Sequence, residues 1–482
     1  MGRGMLFLTP VTPVPVTSLG RVHMTGIGGT GMAGVARLLL GRGVQVSGTD
    51  RAPSAEIEEL AWLGAVIHIG HSAGYLGDAD TLVMTSAIRQ DNPELAEARR
   101  RGLPVLHRAA ALASLMFGRQ GIAVTGTHGK TTTTSMLTTV LRHCGADPSY
   151  VIGGILAETG VCAADGAGAP FVVEADESDG SFVMLSPQAA IVTCIQADHL
   201  DRYADLAQIE AAFAAFAGRL PDGGVLVACA DDPGSARLAD AAARRLRVLR
   251  YGMSEDCDYR VSAVQRRGMT TVATVTPGPR AALTAPAGLR IQVPVPGGHN
   301  ALNAAAALAL ASELGYPAGE VVAGLAAYGG ARRRMEVKGE ADGVSVLDSY
   351  AHHPAEIAAD LTAARELAEG GRVIVVFQPH LYSRTRIFAA EFGAALSLAD
   401  EVIVLDIYAA REEPEPGVTG QLIAEKISGP VARFLPDLAG VPDMISGIAK
   451  PGDLVFTMGA GNVTALGPLI VAALRERAGA GP

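Results

Sequence analysis

Ile122-Ala123-Val124-Thr125-Gly126-Thr127-His128-Gly129-Lys130-Thr131-Thr132 is an apolar run, a glycine-bearing turn and the opening of a helix. The run reads as a buried strand of a parallel sheet. After such a strand, backbone N–H groups and a helix N-terminus point at an anion, and Lys130 adds a mobile positive charge. The stretch therefore predicts a phosphate-binding loop, Gly126–Thr132, on an α/β sheet. Thr131 is placed to offer a hydroxyl to Mg²⁺. The longer pattern G-x-x-x-x-G-K-[ST] does not hold, because Val124 stands where its first glycine would be. A ligand-free turn would not explain the lysine: the chain has only Lys130, Lys338, Lys426 and Lys450.

Outward from this loop, strand–turn–helix units recur over 482 residues, too many for one core. An extension over residues 1–20 is broken by Pro10, Pro13 and Pro15 and reads as disordered. A first α/β domain spans 21–107, with strands at Val22–Thr25, Val44–Gly48, Val66–Ile69 and Leu82–Thr85. A central domain spans 108–329, with strands at Ile122–Thr125, Phe171–Val173 and Ala190–Ile195. Irregular β structure follows over Val261–Val295, and a long Ala-rich helix starts near His299. A third domain spans 330–482, with strands at Val344–Leu347, Val373–Phe377, Glu401–Leu405 and Leu454–Thr457. Alternating strands and helices predict parallel sheets throughout.

The formal charge of −10 offers no basic face for nucleic acid, and Arg99–Arg101 and Arg332–Arg334 read as local features. The five scattered cysteines include no CxxC pair, which fits a reduced, cytoplasmic protein without structural zinc. No stretch reaches the roughly 18 apolar residues of a membrane span.

Further constellations follow strands. Gly26-Ile27-Gly28-Gly29-Thr30-Gly31 fits G-x-G-x-x-G, and Asp50 ends the next strand 19 residues past Gly31. That is a diphosphate-binding fingerprint with an acid for ribose hydroxyls, and it leaves an NAD-dependent dehydrogenase open. Phe171-Val172-Val173-Glu174-Ala175-Asp176-Glu177 puts a carboxylate, Glu174, where such folds hold Mg²⁺. Asp176 and Glu177 read better as a surface acidic turn. In Asp198-His199-Leu200-Asp201, His199 is either a metal ligand oriented by Asp198 or Asp201, or a hydrogen-bonded structural group. Asn300 and Asn303 stand one turn apart at a helix start, where capping explains one of them. Three polar clusters, Asp348–His353, Gln378–Arg384 and Asp406–Arg411, end strands of the third region and predict a shared cleft.

Taken together these residues resemble the Mur ligases of peptidoglycan synthesis, nearest the branch that adds L-alanine to UDP-N-acetylmuramate. The resemblance runs from Gly26 to Asn462. It implies three domains: a Rossmann-like one for the UDP-sugar, a central P-loop ATPase-like one, and a C-terminal Rossmann-like one for the amino acid. It implies ATP-dependent joining of L-alanine to the muramoyl carboxylate through an acyl phosphate, by a monomer or weak homodimer. Gly28, Gly29, Thr30 and Gly31 then take the UDP diphosphate rather than NAD, with Asp50, His71 and Ser86 as uridine or sugar contacts. Gly126, Thr127, His128, Gly129, Lys130, Thr131 and Thr132 hold the ATP phosphates. Asn300 and Asn303 contact adenine, Asp348 belongs to the ATP site, and Arg333 or Arg334 reaches the phosphates. Thr131 and Glu174 hold one Mg²⁺ (or Mn²⁺) and His199 a second. Tyr350, His352 and Arg384 form the amino-acid pocket. The implied catalytic set is Lys130, Glu174, His199, Arg333 and Arg384.

This chain departs from the family at Cys194 and Gln196, where the pattern has Asn and Glu, at Leu381, where Arg is usual, and at Met335, where an aromatic is usual. Leu381 leaves more of the carboxylate contact to Arg384. Sister enzymes carry a carbamylated lysine in the central domain, and the absence of any lysine from Thr131 to Val337 forbids it here. A murein-peptide ligase shares many of these motifs. A non-catalytic UDP-sugar-binding regulator would leave Lys130 and Glu174 without a task.

Overall fold

The computed structural model describes residues 10–479 apart from Asp201, Pro286 and Arg411. Asp201, Arg411 and the first nine residues of the expected extension thus lie outside the described residues. Val16–Leu19, expected to be disordered, forms a 3-10 turn with Leu19 buried.

The first sheet contains β1 (Val22–Thr25), β2 (Val46–Asp50), β3 (Val66–Ile69), β4 (Thr81–Met84) and β5 (Val105–His107), in the order β3-β2-β1-β4-β5 with parallel pairing. Helices α1 (Thr30–Gly41), α2 (Ala55–Trp62), α3 (Pro93–Arg101) and α4 (Arg108–Met116) connect or follow these strands. Strand order reverses between β1 and β4, the place where open α/β sheets bind ligands. Asn92 caps α3, Pro93 opens it and Gly102 closes it in a left-handed conformation. Arg99–Arg101 occupy its last turn, where cations complement the helix dipole.

The second sheet runs β15-β14-β13-β12-β11-β10-β6-β9-β7-β8. Its strands are β6 (Gln120–Thr125), β7 (Ser149–Val151), β8 (Ala163–Ala164), β9 (Pro170–Glu174), β10 (Ala189–Val192), β11 (Val225–Cys229), β12 (Arg247–Gly252), β13 (Tyr259–Arg267), β14 (Thr270–Pro277) and β15 (Leu289–Val293). Central strand β6 lies between β9 and β10 and feeds the loop into α5 (Lys130–His143). Further helices are α6 (Leu206–Ala217), α7 (Pro233–Ala242), α8 (Gly298–Glu313) and α9 (Ala318–Ala326).

The third sheet runs β16-β17-β21-β18-β19-β20, parallel except for β16 (Glu336–Ala341) against β17 (Val344–Ser349). The others are β18 (Val373–Phe377), β19 (Glu401–Val404), β20 (Val431–Phe434) and β21 (Leu454–Met458), joined through α10 (Pro354–Leu367), α11 (Tyr382–Leu396), α12 (Gln421–Ala424) and α13 (Val441–Ile448) and followed by α14 (Leu466–Gly479). Val373-Ile374-Val375-Val376-Phe377 is buried throughout, as a central strand covered on both faces must be.

Two compact units result. One runs to Ser262 and takes in Thr274–Ile291 and Leu302–Gly329, so it holds the first sheet and most of the second; the other takes in Ala263–Ala273, Gln292–Ala301 and the chain from Gly330. Within the former, α1 packs on β7 and β8, where a Cβ on Gly34 would stand 3.3 Å from Ala163 Cβ and 3.5 Å from Val151 Cγ1. One apolar core runs through that unit, from Met24 and Val35 to Phe171, Phe213 and Leu226.

Candidate active site

The loop after β6 folds as it does because two glycines adopt conformations closed to other residues. Gly126 has φ 138°, and a Cβ there would overlap Thr193 Oγ1; Gly129, with φ 79°, is the N-cap of α5. The strand expected to reach Ile195 ends at Val192, because the following residues knit onto the loop instead. Thr127 N–H donates to Cys194 O (2.9 Å), Gln196 N–H to Thr127 Oγ1 (2.8 Å), and the Thr193 hydroxyl to Thr125 O (3.3 Å). The two departures from the family pattern are absorbed here. Cys194 Sγ accepts the His128 N–H (3.3 Å), and Gln196 Nε2 donates to Asp232 (3.2 Å). Burial pushes the Cys194 thiol up to about 12, so it brings no thiolate to the loop.

Lys130 Nζ donates to Gly126 O (2.6 Å) and Thr127 O (3.1 Å) and pairs with Glu177 at 2.8 Å (Oε2) and 3.0 Å (Oε1). Burial opposes the ammonium, but Glu177, Asp176 and Glu174 outweigh it and hold the Lys130 pKa above its ordinary value. Glu177 is 2% exposed, which overturns its reading as part of a surface acidic turn. His199 Nε2 stands 3.6 Å from Glu177 and 3.5 Å from Asp198. Thr131 Oγ1 donates to Glu174 Oε1 at 3.0 Å, and Glu174 Oε2 accepts Gly153 N–H at 2.6 Å. Lys130 and His199 thus meet at Glu177, and Thr131 pairs with Glu174, whose charge acts on Lys130. Among the described residues no group of three or more His, Cys, Asp or Glu side chains gathers as a metal cage. Thr131 and Glu174 nevertheless form a pair of hard oxygen donors at the mouth of an anion loop. That donor set fits a Mg²⁺ whose remaining ligands are phosphate oxygens and water.

Asn303 and Asn300 both lie at the start of α8. Asn303 Oδ1 accepts the Thr133 hydroxyl (3.1 Å) and would stand 2.9 Å from a Cβ on Gly129, so it borders the loop. Asn300 Nδ2 donates to Pro296 O (2.7 Å) in its own segment.

The glycine loop after β1 is also pinned by its neighbours. Gly26 has φ 77°, and its N–H and that of Ile27 donate to Thr49 O (2.8 and 3.0 Å). Asp50, expected to reach a ribose, accepts Gly28 N–H (2.9 Å) and Arg51 N–H (2.7 Å) with its two oxygens, so it shapes the loop in this structure. His71 Nδ1 lies 3.1 Å from Glu94 and 3.2 Å from Thr49 Oγ1. Ser86 Oγ donates to Asp179 (2.9 Å), which also faces His107 Nε2 (3.3 Å). Ser86 therefore faces the chain segment that follows Glu174.

Glu94 was not foreseen. Fully buried, it gathers the ends of three strands: Thr25 Oγ1 (2.6 Å) and Thr49 Oγ1 (2.8 Å) donate to it, and His23 Nε2 (3.3 Å) and His71 stand beside it. Burial works against this carboxylate, but His23, Thr25, Thr49 and His71 hold it down to about 2.

In the C-terminal unit Asp348, expected at the ATP site, is fully buried. It accepts Thr457 Oγ1 (2.6 Å), Thr464 Oγ1 (2.8 Å) and Arg333 Nε (3.3 Å), so it anchors Arg333. Arg333, at φ 61°, also donates to Gly459 O and lies over the Tyr350 ring, 4.8 Å from its centroid. Arg334 lies over the same ring at 5.4 Å. Tyr350, His352, His380 and Tyr408 form a file of rings with centroids 5.3, 6.0 and 6.0 Å apart, joining all three strand-end clusters. Arg384 is buried in the first turn of α11. Leu381 caps that helix at φ 70° and is buried.

This geometry defines a nucleotide-phosphate-binding α/β protein with a largely buried lysine at its loop. Residues 21–120 match the Mur ligase family catalytic domain, 124–311 the Mur ligase middle domain, and 333–461 the Mur ligase glutamate ligase domain. Over 481 residues the chain is 56% identical to the UDP-N-acetylmuramate–L-alanine ligase of Thermobifida fusca, covering 98% of this chain and 100% of that one. It is 52% identical to the enzyme of that name from Mycobacterium marinum, covering 95% and 96%. Its fold is similar to the crystal structure of the UDP-N-acetylmuramate–alanine ligase of Thermotoga maritima, with a TM-score of 0.79 at 30% identity over 95% of this chain and 99% of that one. A murein peptide ligase from Psychrobacter arcticus gives 0.69 at 25%, with the same coverage. The chain belongs to the Mur ligase family. The dehydrogenase alternative for Gly26–Asp50 falls with that assignment.

Proposed function

We propose that this chain joins L-alanine to the carboxylate of UDP-N-acetylmuramate with hydrolysis of ATP to ADP and phosphate, in peptidoglycan precursor synthesis. The observation that carries the reading is the Lys130–Glu177 pair set in the loop beside Thr131 and Glu174. A muramoyl carboxylate oxygen attacks the γ-phosphorus, the bond to ADP breaks, and an acyl phosphate forms. The L-alanine amine then attacks the carbonyl carbon and loses a proton, and phosphate leaves as the amide forms. Carboxylate and triphosphate repel each other, so charge must be neutralised before they meet.

Lys130 supplies part of that neutralisation. The loop N–H groups and the N-terminus of α5 orient the triphosphate. Thr131 and Glu174 would hold Mg²⁺ or Mn²⁺, which would neutralise charge developing on the phosphoryl oxygens. His199 is a second, weaker ligand candidate, since it already faces Glu177 and Asp198. Asn303 and Asn300 are assigned to adenine, and Arg333 and Asp348 to the phosphate side. Gly28–Gly31, Asp50, His71 and Ser86 are assigned to the UDP-sugar, with Asp50 also holding the loop. Tyr350, His352 and Arg384 are assigned to L-alanine. ATP and UDP-sugar as substrates fit a cytoplasmic enzyme, and no helix among the described residues is long and apolar enough to cross a membrane.

Phosphate release with UDP-N-acetylmuramate, ATP and each amino acid in turn tests the proposal. Lys130→Ala is expected to abolish release in the presence of all three substrates. Turnover near that of the unaltered enzyme would sink the assignment.

A further inference from the structure

The third glycine of a dinucleotide fingerprint ordinarily lets a helix approach a strand. Gly31 serves another purpose: Arg108 lies on it. A Cβ at position 31 would collide with Arg108 Nη1 and stand 3.0 Å from Cζ and 3.4 Å from Cδ. The guanidinium thus rests on the first turn of α1, directly beside the Gly26–Gly31 loop. Arg108 is also the first residue of α4. A half-buried cation therefore sits at the positive ends of two helices, an arrangement that the helix dipoles oppose. Among the described residues its guanidinium makes no hydrogen bond and no ion pair, and it acts at longer range on Asp176, near the Lys130 cluster. An anion lying between the loop N–H groups and the guanidinium would turn that opposition into attraction from both sides.

We propose that Arg108 binds the nucleotide-sugar, closing over the glycine loop and taking a diphosphate oxygen, with Gly31 kept free of a side chain to seat it. This rests on the reading of Gly28–Gly31 as the UDP-sugar loop.

The test is calorimetric titration of the full chain with UDP-N-acetylmuramate, with UDP and with ATP, joined to steady-state kinetics. Arg108→Ala is expected to weaken both uridine ligands roughly 10- to 100-fold, the loss of a charge-assisted contact, while ATP affinity stays within about twofold. The KM for UDP-N-acetylmuramate should rise by that factor and kcat change far less. Gly31→Ala, which unseats the guanidinium, should give a similar loss, and the double variant should bind no worse than the weaker single one. Arg108→Lys, which keeps the charge without the fork, should recover part of the affinity. Undiminished binding by Arg108→Ala would overturn the proposal and leave the ligase reading standing. An equal loss for ATP would mark a general collapse and overturn it too. Failure of the unaltered chain to bind UDP-N-acetylmuramate would overturn both.

Discussion

Replacing Glu94 by Gln removes the one anion on which Thr25, Thr49, His23 and His71 converge while keeping the side-chain shape. The carboxyl is held down from 4.5 to about 2, which amounts to roughly 3 kcal/mol of folded-state stabilisation. The folded pKa is depressed, so this contribution is fully present above the unfolded value and is lost as the pH falls through the range from 4.5 to about 2. Glu94→Gln should therefore lower the opening free energy of the first sheet by about 3 kcal/mol at neutral pH. The gap to the unaltered chain should narrow as the pH falls below 4.5 and shrink to about half or less by pH 3. Hydrogen exchange at the amides of Val22–Thr25 and Val46–Asp50, corrected for intrinsic rates, isolates this sheet from the rest of the chain. A gap that stays constant down to pH 3, or one below about 1 kcal/mol at neutral pH, would refute the reasoning.

Glu177→Ala strips the buried Lys130 of its counter-ion and should cost about 3 kcal/mol in a urea titration, with saturating ATP restoring more stability than it adds to the unaltered chain. An unchanged midpoint would remove Glu177 from the site. Gly126→Ala forces a side chain into φ 138° and against Thr193, so it should destabilise the loop by about 2 kcal/mol and raise the KM for ATP, read by thermal shift and kinetics. Arg384→Ala should raise the KM for L-alanine roughly tenfold or more and leave the ATP KM near its original value, as measured by phosphate release.

Legibility followed the range over which each signal acts. The loop Gly126–Thr132 could be read because strand, turn, lysine and helix are contiguous, and Val373–Phe377 because an all-buried β-branched run carries its own pattern. Short strands with mixed or polar faces gave no period to detect, as at Arg247–Gly252 and Val431–Phe434. The two buried carboxylates were hidden by their surroundings in sequence. Glu94 stands in the first turn of a helix, where any acid suits the dipole, and its partners lie 69, 45 and 23 residues away. Glu177, in an Asp-Glu-Ser-Asp run, reads as solvated until Lys130, 47 residues earlier, is brought against it. The scarcity of lysine was the usable clue, since a buried ammonium needs a buried carboxylate. Asp50 carries a second task that its spacing does not announce: beside the ribose contact the spacing fits, it accepts Gly28 N–H of the glycine loop and the neighbouring Arg51 N–H.

The clamp on Lys130 also governs how the protein can be labelled. Amine-directed reagents attack only the neutral amine, and the raised pKa leaves almost none of it at Lys130 under ordinary coupling conditions. Lys426 and Lys450 are exposed. Dyes, biotin or surface linkers should therefore attach at those two positions in preference to Lys130 and spare the Gly126–Thr132 loop, so that immobilised or fluorescent enzyme keeps the proposed nucleotide site intact.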